Sequence, residues 1–319
     1  MKKKALIIGL SSQDGYFLSK LLVKKNFEVF GTIRNKCIWK QLDNKHFKKI
    51  KKIKYSNLLK FLNKKNFDEI YNFSNVNTIL QSNTNLRVTY NSIFKINFEI
   101  LEILRKQNSS TKFFHASSSE ALLLKNNRHL RSAYSYFKRM TSELVSFYRK
   151  KYKIYAINGY LFNHESFLRK KNYLSSKIFF GVLNYVKKKK KFELDDVYSF
   201  KDRGLVEEFV KVFHKAISFK VPLDWEIGTG KFIKAESLFL ECCSVFNLKI
   251  KKKKFRNNIY YYDRSNGYLI LKSKIKKIQK NTKEIKCNTN SIKKFLKIVP
   301  SQNFKKLYQD YKKNFYETN

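Results

Sequence analysis

The sequence predicts an α/β protein with a doubly wound parallel sheet, followed by a smaller part made mostly from the C-terminal half. Two observations predict this class. Residues 5–9 form a short, continuous apolar run, which is typical of a parallel strand covered on both faces. Residues 16–25 then carry apolar side chains at helical spacing, and residues 28–33 have the pattern of a second strand. Together these segments form one strand–helix–strand unit.

The same alternation continues along the first half of the chain. We expect helices over residues 58–62, 94–104 and 135–148, and strands over residues 69–73, 112–116 and 155–162. Beyond residue 163 the pattern weakens, and only a helix over 206–219, a strand over 225–228 and a helix over 235–246 are predicted. We therefore expect a first domain over residues 1–164, with later contributions from about 205–230, and a second part over 165–319.

The composition is at once apolar and strongly basic. Hydrophobic residues make up 43% of the chain, enough to offset the entropy lost on folding. The net charge of +45 is of the kind that proteins use to bind the phosphate backbone of nucleic acids. However, residues with A/T-rich codons are abundant, whereas Gly (9) and Pro (2) are scarce, so mutational bias can supply much of the charge. Because no binding motif accompanies the charge, we do not expect a nucleic-acid partner. The lysine runs at 48–52, 187–191 and 251–254 are expected on solvated surfaces.

Neither a metal site nor membrane contact is expected. The four cysteines form no C-x-x-C pair and have no metal-ligand spacing with the five histidines, a pattern typical of reduced thiols. No stretch approaches the roughly 20 apolar residues of a membrane span, and the apolar run at residues 5–10 is too short for a signal peptide. These features predict a cytoplasmic protein.

A turn with a glycine at each end, Gly9 and Gly15, follows the first predicted strand. A strand, a tight turn and a helix N-terminus present free backbone N–H groups, and Rossmann-type folds bind a dinucleotide pyrophosphate there. Ser12, Gln13 and Asp14 lie between the glycines and complete the predicted loop. A plain strand-to-helix turn without a ligand is the alternative.

Arg34 lies at the end of the second predicted strand. An acidic residue at this place favours NAD, whereas a basic residue accommodates the 2′-phosphate of NADP. Residues 31–36 contain no acid, so the expected cofactor is NADP.

The pair Tyr134 and Lys138 has the spacing of the catalytic residues of short-chain dehydrogenases, in which the lysine charge lowers the pKa of the phenol. The spacing occurs six times in this sequence, but only this pair follows a strand whose end carries hydroxyl groups and an acid. That strand end places Ser118 and Glu120 at the carboxyl edge of the sheet, where ligands bind. A helix-capping serine cluster beside a surface glutamate is the alternative.

Three segments resemble the GDP-mannose 4,6-dehydratases, a family of extended short-chain dehydrogenases. Residues 9–15 resemble the family's G-x-x-G-x-D-G loop, and residues 114–120 resemble its Tyr-Gln-Ala-Ser-Thr-Ser-Glu segment. Residues 158–166 are nearly identical to the family stretch that ends in Leu-Phe-Asn-His-Glu-Ser. By this match Ser118 stands for the catalytic threonine and Glu120 for the catalytic glutamate. The resemblance also implies that the sugar nucleotide is held by Asn163, Lys177, Lys201 and Arg264.

The sequence departs from the family at several positions. Ser12 replaces a glycine, and if that position required a positive φ, its Cβ would cost about 1–2 kcal/mol. Only thirteen residues separate Glu120 from Tyr134, fewer than in the family, and Gly267 replaces a glutamate that reaches the nucleotide ribose.

The resemblance implies an NADP-dependent lyase that converts GDP-mannose to GDP-4-dehydro-6-deoxymannose and assembles as a homodimer or homotetramer. Two alternatives stay open. The first is a degenerate relative that binds a nucleotide without turnover, which the departures favour. The second is a sister epimerase or reductase that acts on another sugar nucleotide.

Overall fold

The computed structural model describes residues 2–33, 44–75, 79–126, 132–275 and 284–318. Its strands are Lys4–Ile8 (β1), Glu28–Ile33 (β2), Lys51–Lys54 (β3), Glu69–Asn72 (β4), Lys112–Ser118 (β5), Ala156–Leu161 (β6), Asn163–Glu165 (β7), Phe192–Leu194 (β8), Phe200–Leu205 (β9), Trp225–Ile227 (β10), Phe232–Lys234 (β11), Ile250–Phe255 (β12), Asn258–Asp263 (β13) and Leu269–Lys274 (β14).

Its α-helices are Gln13–Lys24 (α1), Asn44–Lys48 (α2), Leu58–Leu62 (α3), Ile79–Thr84 (α4), Leu86–Tyr90 (α5), Ile96–Lys106 (α6), Ala133–Tyr152 (α7), Leu174–Lys188 (α8), Val206–Ile217 (α9), Ala235–Val245 (α10) and Phe304–Thr318 (α11). Within the described ranges, no helix combines the length and the apolar character needed to cross a bilayer.

The chain divides into two compact units, and neither is continuous in sequence. The first unit contains Met1–Phe162, Val206–Ile227 and Asn288–Val299. The second contains Asn163–Leu205, Gly228–Cys287 and Pro300–Asn319. The sequence pattern gave no sign that the short segment Asn288–Val299 belongs to the first unit.

The first unit is built on a parallel sheet with the strand order β10-β6-β5-β4-β1-β2-β3. All of its strand pairs are parallel, as the predicted doubly wound fold requires. The strand order reverses between β1 and β4, and in such sheets the ligand crevice lies beyond the carboxyl ends of the strands at this point. The predicted fold class is therefore confirmed.

Continuous apolar runs form the central strands because both faces of the sheet are covered. On one face, Leu6 and Phe113 pack with Ile100 of α6 and Val145 of α7 in a single buried cluster. On the other face, an aromatic cluster joins β4 and β5 to α9, with ring centroids 5.2–6.3 Å apart between Phe73, Phe114 and Phe213. Apolar side chains thus cover both faces of the sheet at β4 and β5.

The second unit contains two mixed sheets, each with parallel and antiparallel strand pairs. The strand orders are β12-β13-β14-β8 and β11-β9-β7. A shared core, including Phe179 of α8, Phe239 of α10, Tyr261 of β13 and Tyr308 of α11, joins the helices to the larger sheet. The core is rich in rings, which bury a large apolar area per residue.

A buried ionic cluster ties β7, β9 and α8 together. Glu165 lies 3.1 Å from Nη1 of Arg203 and 3.3 Å from Nε of Arg169, and Ser175 donates a hydrogen bond to its carboxylate at 2.8 Å. Burial by itself raises the pKa of Glu165, but the two guanidinium groups outweigh it and hold the pKa below 4.5. Glu165 therefore stays charged, and Arg203 depends on it for its counter-charge.

We expect Glu165→Gln to destabilise the protein by about 3–5 kcal/mol, because the isosteric amide leaves the Arg203 charge buried and unpaired. The control is Glu143→Gln, which removes an ion pair with Arg139 whose glutamate side chain is 61% exposed. The loss there should stay under about 1 kcal/mol. Urea-induced unfolding at pH 7 measures both, and equal losses in the two variants would contradict the role given to Glu165.

Candidate active site

The backbone of the loop between β1 and α1 packs closely, and glycines occupy both ends of the loop. Gly9 has a φ of +93°, a conformation that favours glycine. A Cβ on Gly15 would lie 2.4 Å from the Gly9 carbonyl oxygen, so only glycine lets the first turn of α1 approach the end of β1 this closely. Gly9 N–H donates to Thr32 Oγ1 at 3.0 Å, which fastens the turn to β2.

Ser12 caps the N-terminus of α1 without strain. Its φ of −79° and ψ of 162° are extended, so the positive φ that would have penalised a Cβ is not adopted. Its Oγ accepts a hydrogen bond from Gly15 N–H at 3.0 Å. Since a hydroxyl can also donate, Ser12 keeps its O–H proton for a ligand.

The remaining residues of the predicted loop occupy the first turn of α1. Gln13 and Asp14 are its first two residues, and both side chains are half-buried. Asp14 also influences Lys138 of α7 electrostatically, a link that the sequence did not reveal. Arg34, the predicted NADP determinant, lies outside the described residues.

The end of β5 presents the predicted hydroxyl group and acid. Ser118 is the last residue of the strand and is buried, and its Oγ accepts a hydrogen bond from Glu120 N–H at 3.2 Å. Ser117 instead faces α7, with its Oγ 2.7 Å from that of Ser142. Glu120 is half-buried in the 3₁₀ helix Ser119–Asn126. Ser118 thus both closes the turn, as the capping alternative holds, and stands next to the acid.

Tyr134 and Lys138 share one face of α7, as their spacing predicts. The helix begins where Ser132 and Ser135 form a reciprocal capping box. The Lys138 amine lies 5.9 Å from the centroid of the Tyr134 ring. Asn75, just beyond β4, donates to the Tyr134 hydroxyl at 3.4 Å. Asn75 is not among the predicted site residues, and its one signal in the sequence is its place after a strand of the parallel sheet.

The Lys138 amine is buried and has an unusual acid–base behaviour. Its Nζ donates to the Ala116 carbonyl of β5 at 2.5 Å, and the residue is 2% exposed. Burial lowers the pKa of Lys138 to about 7, and the Asp14 carboxylate opposes this shift. Burial, and then the Lys138 charge, hold the pKa of the neighbouring His115 well below 6.5. His115 is therefore neutral at pH 7. The sequence gave no sign that Lys138 and His115 influence each other electrostatically.

We expect the pKa of Lys138 to make stability depend on pH. Between about pH 7 and 10.5 the unfolded chain holds a proton on this amine that the folded protein has lost, so stability rises with pH in this window. From pH 7 to pH 9 the rise due to Lys138 alone should be about 2 kcal/mol.

Lys138→Met provides the test, because the variant keeps the length of the side chain and lacks the titrating group. Unfolding free energies of both proteins are measured at pH 7 and pH 9, so the effects of all other charges cancel in the difference. A difference that stays constant over this range would show that Lys138 titrates near its ordinary value.

The residues implied to hold a sugar nucleotide lie in the second unit. Asn163 of β7 is the register partner of Arg203 in β9, and Lys201 is two residues away on the same strand. Lys177 is exposed in the first turns of α8, and Arg264 is exposed directly after β13. The structure thus brings Asn163 and Lys201 onto adjacent strands, while Lys177 and Arg264 are carried by other elements.

The turn that carries Arg264 is held by a buried acid. Asp263 accepts hydrogen bonds from Tyr185 at 3.0 Å and from the N–H and hydroxyl of Ser265 at 3.0 and 2.7 Å. Burial alone raises the pKa of Asp263, but these hydrogen bonds outweigh it and keep the pKa below 3.8. Gly267, with a φ of +74° and open space around its Cβ position, completes the turn.

The sequence profile of the family described as GDP-mannose 4,6 dehydratase matches residues 6–311 of the chain. The chain belongs to the GDP-mannose 4,6-dehydratase family. It is 31% identical to the GDP-mannose 4,6 dehydratase of Drosophila melanogaster over 254 residues. That match covers 72% of this chain and 64%, under two thirds, of the fly protein. The family resemblance inferred from the three sequence segments is confirmed.

Solved structures show how widely this fold is shared. The UDP-N-acetylglucosamine 4-epimerase of Methanobrevibacter ruminantium, in complex with UDP-N-acetylmuramic acid, superimposes with a TM-score of 0.81 at 14% identity, covering 100% of both chains. The dTDP-glucose 4,6-dehydratase of Bacillus anthracis, in complex with NAD, gives a TM-score of 0.76 at 12% identity and covers 99% of this chain and 97% of its own. At these identities the likeness establishes the fold of this GDP-mannose 4,6-dehydratase family member.

Proposed function

We propose that the protein is an NADP-dependent lyase that converts GDP-mannose to GDP-4-dehydro-6-deoxymannose. The observation that carries the proposal is the set of groups around the end of β5. A phenol and a buried amine lie on one face of α7, and a hydroxyl group and a carboxylate lie at the strand end, in a member of a dehydratase family. We propose Ser118, Glu120, Tyr134 and Lys138 as the catalytic residues.

The β1–α1 loop fits the pyrophosphate of a dinucleotide. The close approach at Gly15 leaves no room for a Cβ, and the N-terminus of α1 attracts a negative charge. We propose Gly9, Ser12, Gln13, Asp14 and Gly15 as the loop that binds NADP. Arg34, by its place in the sequence, is the proposed partner of the 2′-phosphate.

Each proposed catalytic group has a distinct task. Tyr134 accepts the proton of the C4 hydroxyl, and the charge of Lys138 stabilises the phenolate that results. Glu120 removes the C5 proton, which the C4 ketone has made acidic, and passes it to the C6 hydroxyl, which leaves as water with a hydrogen bond from Ser118. C5 then takes up a proton from solvent, and Tyr134 returns its proton to solvent. A nicotinamide cofactor held by the β1–α1 loop would supply the hydride acceptor and donor that the reaction needs, and it would not be consumed overall.

We propose that Asn163, Lys177, Lys201 and Arg264 bind the GDP moiety. Their cationic groups can form charge-assisted hydrogen bonds to the diphosphate, and the Asn163 amide can both donate and accept. The hydrogen bonds from Ser265 to Asp263 stabilise the turn that carries Arg264. A homodimer or homotetramer in the cytoplasm completes the proposal, by analogy with the family.

We expect Glu120→Gln and Tyr134→Phe to fail at different steps. Tyr134→Phe should lower oxidation at C4 by at least about 100-fold, the usual contribution of a proton-transfer group. Glu120→Gln should still allow oxidation but block exchange of the C5 hydrogen with deuterated water.

Mass spectrometry follows both the loss of one water from GDP-mannose and the deuterium at C5. Tyr136→Phe, which changes an exposed tyrosine two residues away, is the matched control and should keep native turnover. C5 exchange at the native rate in Glu120→Gln would remove it as the base, and no turnover by the native protein would favour the degenerate binding relative.

A second experiment concerns Ser12 and the cofactor. Since Ser12 is unstrained, removal of its Cβ relieves no strain, and Ser12→Gly should not bind NADP more tightly than the native protein. Ser12→Gly and Ser12→Ala both lose the hydroxyl donor, so both should weaken binding by about tenfold.

Calorimetric titration of the three proteins with NADP, and in parallel with NAD, separates these effects. If Ser12→Gly instead binds tenfold tighter, the serine obstructs the loop, and the degenerate relative is supported. Equal affinities of the native protein for NADP and NAD would remove Arg34 from the proposed site.

A further inference from the structure

The sheet β12-β13-β14-β8 of the second unit has two unlike faces. Alternate residues of β13 separate them, since Ile259 and Tyr261 are 0% and 1% exposed in the core, whereas Tyr260 and Tyr262 are partly exposed on the opposite face. Phe255, on the same face at the end of β12, is 62% exposed. The outer face therefore presents aromatic rings in addition to the polar side chains usual on a solvated sheet face.

Lysines surround the two tyrosines on this outer face. Residues directly opposite in a ladder point to the same side of a sheet. The register pairs Tyr262 with Lys251, and Tyr260 with Lys253 on one side and Lys272 on the other. We call these six side chains the tyrosine–lysine face: Lys251, Lys253, Phe255, Tyr260, Tyr262 and Lys272.

The two tyrosine rings lie in a row along β13. Their centroids are 6.4 Å apart and their planes differ by 27°. The Lys253 amine lies 5.7 Å from the centroid of the Tyr262 ring. The two rings thus lie side by side, the Tyr262 ring lies near a positive charge, and Tyr260 has lysines as its register partners on both neighbouring strands.

We propose that the tyrosine–lysine face binds single-stranded nucleic acid. A nucleotide strand offers both a flat base and a phosphate at every step, and proteins bind it by stacking bases on aromatic side chains of a sheet or groove lined with cations. A duplex hides its base faces inside the stack, and a lipid headgroup surface offers phosphate without bases. The rings therefore favour a single strand over either of these polyanions.

This face also explains why the sequence alone gave no such expectation. The tyrosines and lysines come from three strands, and only the antiparallel register places them side by side. The net charge of +45 strengthens attraction of any polyanion to the whole molecule, whereas the rings give this face its preference for bases.

The test measures binding of a fluorescein-labelled 12-nucleotide oligouridylate RNA by fluorescence anisotropy at several salt concentrations. The ring variant is Tyr260→Leu with Tyr262→Leu, which keeps apolar bulk but removes the flat rings. We expect it to bind at least about tenfold more weakly, with an unchanged dependence on salt. The conservative Tyr260→Phe with Tyr262→Phe should stay within about twofold of the native protein.

The charge variant is Lys251→Gln with Lys253→Gln. If both lysines contact phosphates, the slope of log K against log salt should fall by about 1.4, which is 0.7 per contact on a single strand. The controls are Lys150→Gln with Lys151→Gln, two exposed lysines of α7, and Tyr316→Ala, an exposed tyrosine of α11. Both should bind like the native protein, and circular dichroism verifies that every variant is folded.

Native-like binding by a folded Tyr260→Leu, Tyr262→Leu protein would overturn the proposal. An equal loss of slope in the Lys150, Lys151 control would do the same, because it would show that charge acts without regard to place. Competition by duplex RNA, or by phosphatidylserine vesicles, as strong as that by the unlabelled single strand would likewise exclude stacking of bases as the basis of binding.

Discussion

The arrangement around the end of β5 depends on the burial of one amine. Lys138 is 2% exposed. Its amine donates a hydrogen bond to the Ala116 carbonyl, and the negative charge of Asp14 favours its protonated form. That amine connects the strand end, the start of α7 and the loop after β1, three elements that are distant in sequence. Burial lowers the pKa of this amine to about 7, so the charge beside the Tyr134 phenol changes around neutral pH.

The sequence predicted the first unit far better than the second. Strand β1 contains a continuous apolar run, residues 5–8, because both faces of a parallel sheet are covered, so the local pattern marks it. Strand β12 carries four consecutive lysines, Lys251–Lys254, and has no alternation to mark it. These lysines are exposed, as expected, but they lie on a strand because β13 provides the ladder. Pairing between distant segments leaves no trace in a local pattern.

The candidate site was predictable where order along the chain mattered, and not where environment mattered. Tyr134 and Lys138 stood out because a strand ending in serines and an acid precedes them. The pKa of Lys138 near 7 and the neutral state of His115 arise from burial, which spacing does not encode. The φ of Ser12 likewise had to come from the structure. In the second unit, a basic residue by itself could not identify a binding site, because 69 of the 319 residues of the whole chain are Lys or Arg.

The discontinuity of the first unit bears on its synthesis by the ribosome. Strand β10, which closes one edge of the parallel sheet beside β6, is made more than sixty residues after that neighbour, and Asn288–Val299 follows later still. While the intervening polypeptide emerges, at roughly 5–20 residues per second, the edge of β6 has no partner. Such an unpaired edge is open to pairing with other nascent chains. Because of the order of the segments, this sheet edge can be closed only after residues 225–227 have been synthesised.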